Sequence, residues 1–404
     1  MSDTPSPTVQ TSVPTRRLMS LDALRGFDMF WIVGGEELVH GFYKGWPSTA
    51  VGLLDHQMHH KPWSGVTFYD LIFPLFVFIV GASLVFSLGR MVEQKGMAGA
   101  VKRILIRSLM LYCFGLLVYG GISKGWEGVR WMGVLQRIAL CYLFTSLAFC
   151  AFRLRGLIVL FASLLVVYWA LVSFVPVRDF NLESDHLKAQ NLKPTSPETR
   201  ALFLATTGRV RGHFDDGLNL TQHIDFQYLP GYKWDGAYDP EGILSTLPAI
   251  GTCLLGVFAG LLLKNHRVPD QKKVLYLLAG GAASVLLGSL WGLQFPVIKK
   301  IWTSSYVLVA GGYASLFLAA FYQMIEVWNW RKWCVPFVWI GMNPITIYLA
   351  SNLLPLEELG KLVVGGPVQK AFGPWGDLLL ALTVMGMMVA LVRFLYQKKM
   401  FLRL

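Results

Sequence analysis

Ten apolar stretches, each close to the thickness of a lipid bilayer when coiled as helix, set the terms on which this chain folds. A hydrocarbon core about 30 Å thick needs about 20 largely apolar residues in α-helix. Such stretches run over 21–39, 67–88, 104–121, 133–152, 156–176, 243–263, 274–293, 302–325, 334–354 and 375–396. Hydrophobic residues make up 54% of the chain and charged residues only 15%, which excludes a single soluble enzyme domain, a disordered chain and a coiled coil. Five cysteines, all in or at the ends of these stretches, are too few for a disulfide scaffold. The expected fold is therefore all-α: a polytopic membrane helical bundle of about ten transmembrane helices. Residues 1–18, rich in Ser, Thr and Pro at their start, are expected as a disordered cytoplasmic tail. Residues 19–404 are expected as one transmembrane domain, with an extracytoplasmic insertion at 177–242 between the fifth and sixth helices.

Charge supplies the orientation. The formal net charge of +12 would suit nucleic acid, but its distribution follows the loops. With the N-terminus inside, the inner segments hold seventeen Lys and Arg and the short outer loops eight, a bias that places both termini in the cytoplasm. The positive charge is then topology, and no nucleic-acid partner is expected; the lipid bilayer is.

Ionisable groups inside a span cost about 2.5–3.5 kcal/mol each at its centre, so they tend to mark function. The first span carries Asp22, Arg25, Asp28, Glu36 and Glu37, with Asp22 and Arg25 spaced to pair on one helical face. The first outer loop holds His40, His56, His59 and His60. Clustered histidines raise the question of zinc. His59 and His60 are adjacent, however, and neither an HExxH spacing nor a Cys pair accompanies them, so no metal is expected. A proton-transferring or acyl-carrying imidazole is the favoured reading. Asp70, about one turn into the second span, is placed to orient such a ring or to cap its helix. Arg107, Gln136 and Arg137 lie on spans able to face a central cavity. Asp239 and Glu241 stand among Trp234 and Tyr238 at the end of the insertion, a mixture suited to a sugar or to a turn. Ser305 and Asn343 add hydrogen-bonding groups within spans, and Pro344 predicts a kink.

Six segments in order then resemble the heparan-α-glucosaminide N-acetyltransferase family: Leu21-Asp-Ala-Leu-Arg-Gly26, Trp63-Ser-Gly with Asp70-Leu-Ile-Phe-Pro-Leu-Phe-Val-Phe-Ile-Val-Gly81, Gly133-Val-Leu-Gln-Arg137, Ala237-Tyr-Asp-Pro-Glu-Gly-Ile-Leu244, Trp302-Thr-Ser-Ser-Tyr306 and Gly341-Met-Asn343. The resemblance covers nearly the whole chain from Leu21 onward. It implies a transmembrane acyltransferase that takes acetyl from cytosolic acetyl-CoA, as co-substrate, and delivers it to the amino group of a glucosamine-type sugar on the periplasmic side of a bacterial inner membrane. It also implies that the working histidine stands three residues before the tryptophan, at His60, with His59 as rival. Two departures stand out: the large luminal N-terminal region of the lysosomal form has no counterpart here, and Glu36 occupies a position where that form has an active-site Asn.

Moving the multiply charged CoA through hydrocarbon would be prohibitive, so only the neutral acetyl needs to cross. The expected catalytic residues are accordingly His60, Asp70 and Asn343. Arg25, Arg107, Arg137, Gln136 and Ser305 are expected to hold the CoA, with Lys102 and Arg103 as further cations. Glu36, Asp239 and Glu241 are expected to bind the amino sugar, and a homodimer is implied by resemblance alone. The competing readings are a proton-coupled amino-sugar transporter without acyl transfer and a subunit of an envelope-assembly complex.

Overall fold

The computed structural model describes residues 18–402. Almost all of the expected tail, with Arg16, Arg17 and Arg403 of the charge count, lies outside the described residues. The chain is mostly helical. α1 (Met19–Phe30) passes through a π-helical turn (Trp31–Gly35) into α2 (Glu36–Gly45), and α3 (Thr49–Gln57) follows. α4 (Ile72–Val118) is two helices joined at Gly96, whose φ of +70° with ψ of 179° no helix accommodates. α5 (Val134–Ala151) and α6 (Leu154–Phe174) lead into the insertion. There β1 (Val177–Arg178) pairs antiparallel with β2 (Arg209–Val210) around α7 (Ser184–Ala189) and α8 (Pro197–Ala205), and α9 (Leu220–Tyr228) closes it. α10 (Thr246–Lys264), α11 (Asp270–Trp291) and α12 (Ser304–Tyr322) return to long apolar helices. α13 (Val335–Met342), α14 (Pro344–Leu353), α15 (Leu356–Val364) and α16 (Pro367–Ala371) are short, and α17 (Gly376–Gln397) is long.

Among the described residues, seven helices are long and apolar enough to cross a membrane. One of them, Tyr69–Val118, takes in the second and third expected spans. The first and ninth expected spans are helical but interrupted. Gly34, at φ +141°, breaks one between α1 and α2, and the other breaks at Asn343, directly before the Pro344 that predicted a kink.

The helices differ in what they face. The apolar windows of Tyr69–Val118 and Thr246–Lys264 are 72% buried, those of Leu154–Phe174, Asp270–Trp291 and Gly373–Gln397 only 22%, so α4 and α10 form the centre and α6, α11 and α17 the rim. α1 belongs to the centre. Its Gly26 meets α13 so closely that a Cβ there would fall 1.7 Å from the Phe337 carbonyl oxygen, and one on Gly341 would fall 1.9 Å from that of Asp22. This backbone contact holds the charged face of α1 inward. The insertion has a small core of its own, in which Leu182, Phe203, Phe226, Ala237 and Tyr238 pack together.

Candidate active site

The loop after α3 is tied down at several points. Ser64 bridges Ile298, and the Gly65 amide donates to the Val297 carbonyl at 2.8 Å, laying the loop along the segment before α12. The Trp63 indole donates to the Phe214 carbonyl of the insertion at 2.8 Å. His60 is thereby held over the start of the Tyr69–Val118 helix, with Nδ1 2.8 Å from Asp70 Oδ1. Asp70 is 1% exposed; its Oδ2 accepts the backbone amides of Lys61 and Thr67, each at 3.1 Å. From α12, the Tyr306 hydroxyl donates to the Asp70 carbonyl at 2.6 Å. The His60 side chain, by contrast, is 53% exposed. A buried, fully bonded carboxylate thus fixes one edge of a half-exposed imidazole whose Nε2 lies 3.3 Å from Lys299 Nζ, the arrangement in which a carboxylate orients the ring of a general base.

Three more side chains complete the site. Tyr69 packs on the His60 ring with centroids 4.8 Å apart, and its hydroxyl bonds to Glu36 at the start of α2, so the break at Gly34 delivers Glu36 to the dyad. Lys299 was no part of the sequence expectation. Its Nζ stands 3.2 Å from Asp70 Oδ1 and 2.9 Å from His60 Nδ1, and burial draws its ammonium below the ordinary lysine value against the opposing pull of Asp70. The Ser64–Ile298 bridge and the Gly65–Val297 hydrogen bond, which join segments more than two hundred residues apart, bring this contact about, and nothing local in the sequence signals it.

A cavity of about 390 Å³ opens further along the same helix, mostly before its break at Gly96. Arg25, Arg90 and Arg107 line it together with Asp22, Ser83 and Tyr142. Arg25 donates to Ser83 Oγ at 2.6 Å and to the Gly341 carbonyl at 3.1 Å, while Arg107 lies over the Tyr142 ring at 4.6 Å with its buried Nε unmatched among the described residues. Twenty residues of helix separate Asp70 from Arg90, about 30 Å at 1.5 Å per residue, which is the thickness of a hydrocarbon core. The cavity lining reaches up to Phe76, leaving about 9 Å of helix to Asp70.

The remaining expected residues lie elsewhere. Arg137 does not line the cavity: it is fully buried, bonded to Ser245 Oγ and stacked on Trp302 at 4.9 Å. Gln136 donates to the Arg130 carbonyl at 3.1 Å, and Ser305 Oγ donates to the Phe295 carbonyl, ten residues earlier, at 2.6 Å. Neither lines the cavity, because burial turns both inward to satisfy backbone acceptors. Asn343 sits at the α13–α14 break, 2% exposed, with both side-chain polar atoms unmatched among the described residues. Asp239 and Glu241 are held by Arg130. Its Nε and Nη2 grip the two oxygens of Asp239 at 2.8 and 2.7 Å, and Nη2 reaches Glu241 at 2.6 Å. Asp239 Oδ2 also accepts the Trp234 amide, and its Oδ1 that of Glu241, so both Asp239 oxygens are engaged inside the cluster. Burial alone would lower the Arg130 value, but the two carboxylates outweigh it and lift it; burial and Asp239 push Glu241 upward. These two carboxylates are part of an internal ion cluster with Arg130.

Comparison with known proteins gives a consistent answer. The family model described as Heparan-alpha-glucosaminide N-acetyltransferase, catalytic, matches residues 17–203. The mouse (Mus musculus) protein named Heparan-alpha-glucosaminide N-acetyltransferase is 28% identical over 337 residues, covering 73% of this chain and 49% of its own length. The human (Homo sapiens) protein of the same name is 29% identical over 380 residues, covering 83% and 53%. The chain spans about half the length of these curated relatives. The matched region takes in the His60 loop, the helix that bears Asp70 and the three arginines of the cavity. With its six motifs in order, this chain is similar, at under 30% identity, to the heparan-α-glucosaminide N-acetyltransferases, and the family's catalytic model matches its first half.

Proposed function

We propose that this protein is a membrane acetyltransferase that uses acetyl-CoA from the cytoplasmic side of a bacterial inner membrane to acetylate the amino group of a glucosamine-type sugar on the outer side. The observation that carries the reading is the pairing of two sites along one helix: a half-exposed His60 on a buried Asp70 at its start, and an arginine-lined cavity that begins about 9 Å further along and reaches Arg90 about 30 Å away. Arg25, Arg90 and Arg107 suit the phosphates of CoA. An acetyl thioester is neutral and crosses apolar surroundings without the cost of a phosphate.

At the outer end, His60 Nε2 takes the proton from the acceptor amine as its nitrogen attacks the thioester carbonyl. The new C–N bond forms, the C–S bond breaks, and the proton passes from His60 to the departing thiolate, giving amide and free thiol. Asp70 holds the ring and stabilises the imidazolium, and the Lys299 ammonium beside it offers a positive charge to the developing oxyanion. Glu36, bonded to Tyr69, is placed to receive an ammonium or hydroxyl of the sugar. Asn343, buried and unmatched at its helix break, is available to a polar group passing through the bundle. The transporter reading is not favoured, because the named relatives are N-acetyltransferases.

The test is transfer of labelled acetyl from acetyl-CoA to glucosamine in proteoliposomes with donor and acceptor on opposite sides. Labelled N-acetylglucosamine is expected from the unaltered protein. His60→Ala is expected to lower the rate at least about 10³-fold, while acetyl-CoA still raises its thermal midpoint. Retained transfer by His60→Ala, or glucosamine uptake without acetylation, overturns the proposal.

A further inference from the structure

Next to the dyad stands a second cluster of side chains to which the transfer step proposed above gives no role. α2 ends at Gly45, the chain reverses through Trp46 and Pro47, and Ser48 caps α3 by accepting the Val51 amide at 3.4 Å. The reversal turns Asp55, which is 8% exposed, toward His40. His40 Nδ1 lies 2.5 Å from Asp55 Oδ1, and His59 Nε2 lies 3.4 Å from Asp55 Oδ2. The two imidazole rings stand 4.7 Å apart, and one ligand atom from each of the three residues falls within 4.8 Å of the others. A simple His–Asp hydrogen bond would account for His40. It does not account for a second imidazole drawn to the other oxygen of the same carboxylate, which leaves two ring nitrogens converging on one buried anion.

We propose that His40, Asp55 and His59 bind a divalent transition-metal ion, Zn²⁺ being the best match. Two imidazoles and one carboxylate form a three-ligand set that leaves a fourth tetrahedral position open. Nitrogen-rich sites of this kind select zinc and its neighbours over Ca²⁺ or Mg²⁺, which need six or more oxygens or an octahedral shell. Ligands about 2.0–2.2 Å from zinc sit about 3.3 Å from one another, close to the spacing between Asp55 and His59. The His40 and His59 side chains are 40% and 55% exposed and free to close the remaining gap. The ion would fasten α2 to the end of α3. It would also fix the segment that enters the dyad, since the His59 carbonyl accepts from Thr67 Oγ1 at 2.7 Å and the Thr67 amide bonds to Asp70. This inference is independent of the acetyl-transfer reading: metal binding is measured without substrate, and either proposal can fail alone.

The experiment uses the full chain, purified in detergent, stripped with chelator and titrated with Zn²⁺ alone. Close to one zinc per chain is expected, with a rise in thermal midpoint. His40→Gln and His59→Gln should each weaken binding at least 10-fold. His56→Gln, one turn away and outside the cluster, should change it less than twofold. Co²⁺ provides a reading that needs no variant: intense visible bands of a four- or five-coordinate ion are expected, and their loss on adding Zn²⁺. Zinc in trace amounts only, Co²⁺ with the faint spectrum of its hydrated ion, or binding that survives the double replacement His40→Gln/His59→Gln overturns the proposal.

Discussion

The His60–Asp70 pair and the Arg130–Asp239–Glu241 cluster both place carboxylates against cationic or basic groups, and both depend on contacts across the insertion. They differ in what remains unoccupied. Arg130 is 4% exposed, sandwiched between Tyr119 at 4.5 Å and Trp234 at 4.9 Å, and every oxygen of Asp239 is engaged. In the dyad the carboxylate is just as buried, but its partner ring is half open to solvent. A closed cluster leaves nothing to meet a substrate and an open one does, which is the ground for the proposed chemistry at His60; charge alone does not separate the two.

Replacing Arg130 is expected to give the largest effect on that contrast. Arg130→Met leaves two buried carboxylates uncompensated and should cost about 3–5 kcal/mol of stability, read as a fall in thermal midpoint and in folded yield. Adding Asp239→Asn and Glu241→Gln should recover most of the loss. A single variant that keeps full stability but loses acceptor affinity would instead return these carboxylates to a sugar-binding role.

Asp70→Asn works on the other side of the comparison. It keeps size and most hydrogen bonds but withdraws the charge that orients His60, so kcat should fall about 10²-fold or more with a small change in KM and a nearly unchanged thermal midpoint. A large stability loss with unchanged kcat in the folded fraction would make the dyad structural, like the Arg130 cluster.

The smallest effect is electrostatic. Asp225, wholly buried beneath the insertion and bonded to the Ile243 amide at 2.9 Å, is pushed up to about 7, first by burial. Its folded value lies above its unfolded one. The stability it contributes is therefore complete below about pH 4, where both states are protonated, and is lost as pH rises toward 7, because the unfolded chain releases its proton first. Thermal unfolding between pH 5 and 7.5 should show the protein losing about 2–3 kcal/mol more than Asp225→Asn over that interval. Equal slopes for the two would mean that Asp225 is ionised in the folded protein.

The local features of both clusters were legible in the sequence. His60 and Asp70 are ten residues apart, one in a turn-rich loop and one at a helix start, and Pro344 predicted the helix break at Asn343. Arg130 is legible only as one more outer-loop charge, so its grip on Asp239 and Glu241 has no signal in the sequence. Asp55 went unnoticed as a partner for two of the four loop histidines for the same reason: a carboxylate fifteen residues from His40 has meaning only once the turn at Pro47 folds α3 back on α2.

Hydrophobic patterning fixed which stretches coil into apolar helices, since each must satisfy its own backbone hydrogen bonds in lipid. It also showed which polar residues those helices carry against the solvation cost. Packing chose the partners. Arg130 meets Asp239 across 109 residues and Lys299 meets His60 across 239. A buried charge requires a counter-charge, but any opposite charge in the chain satisfies that demand, and only the helix crossings and the Ser64–Ile298 bridge select one.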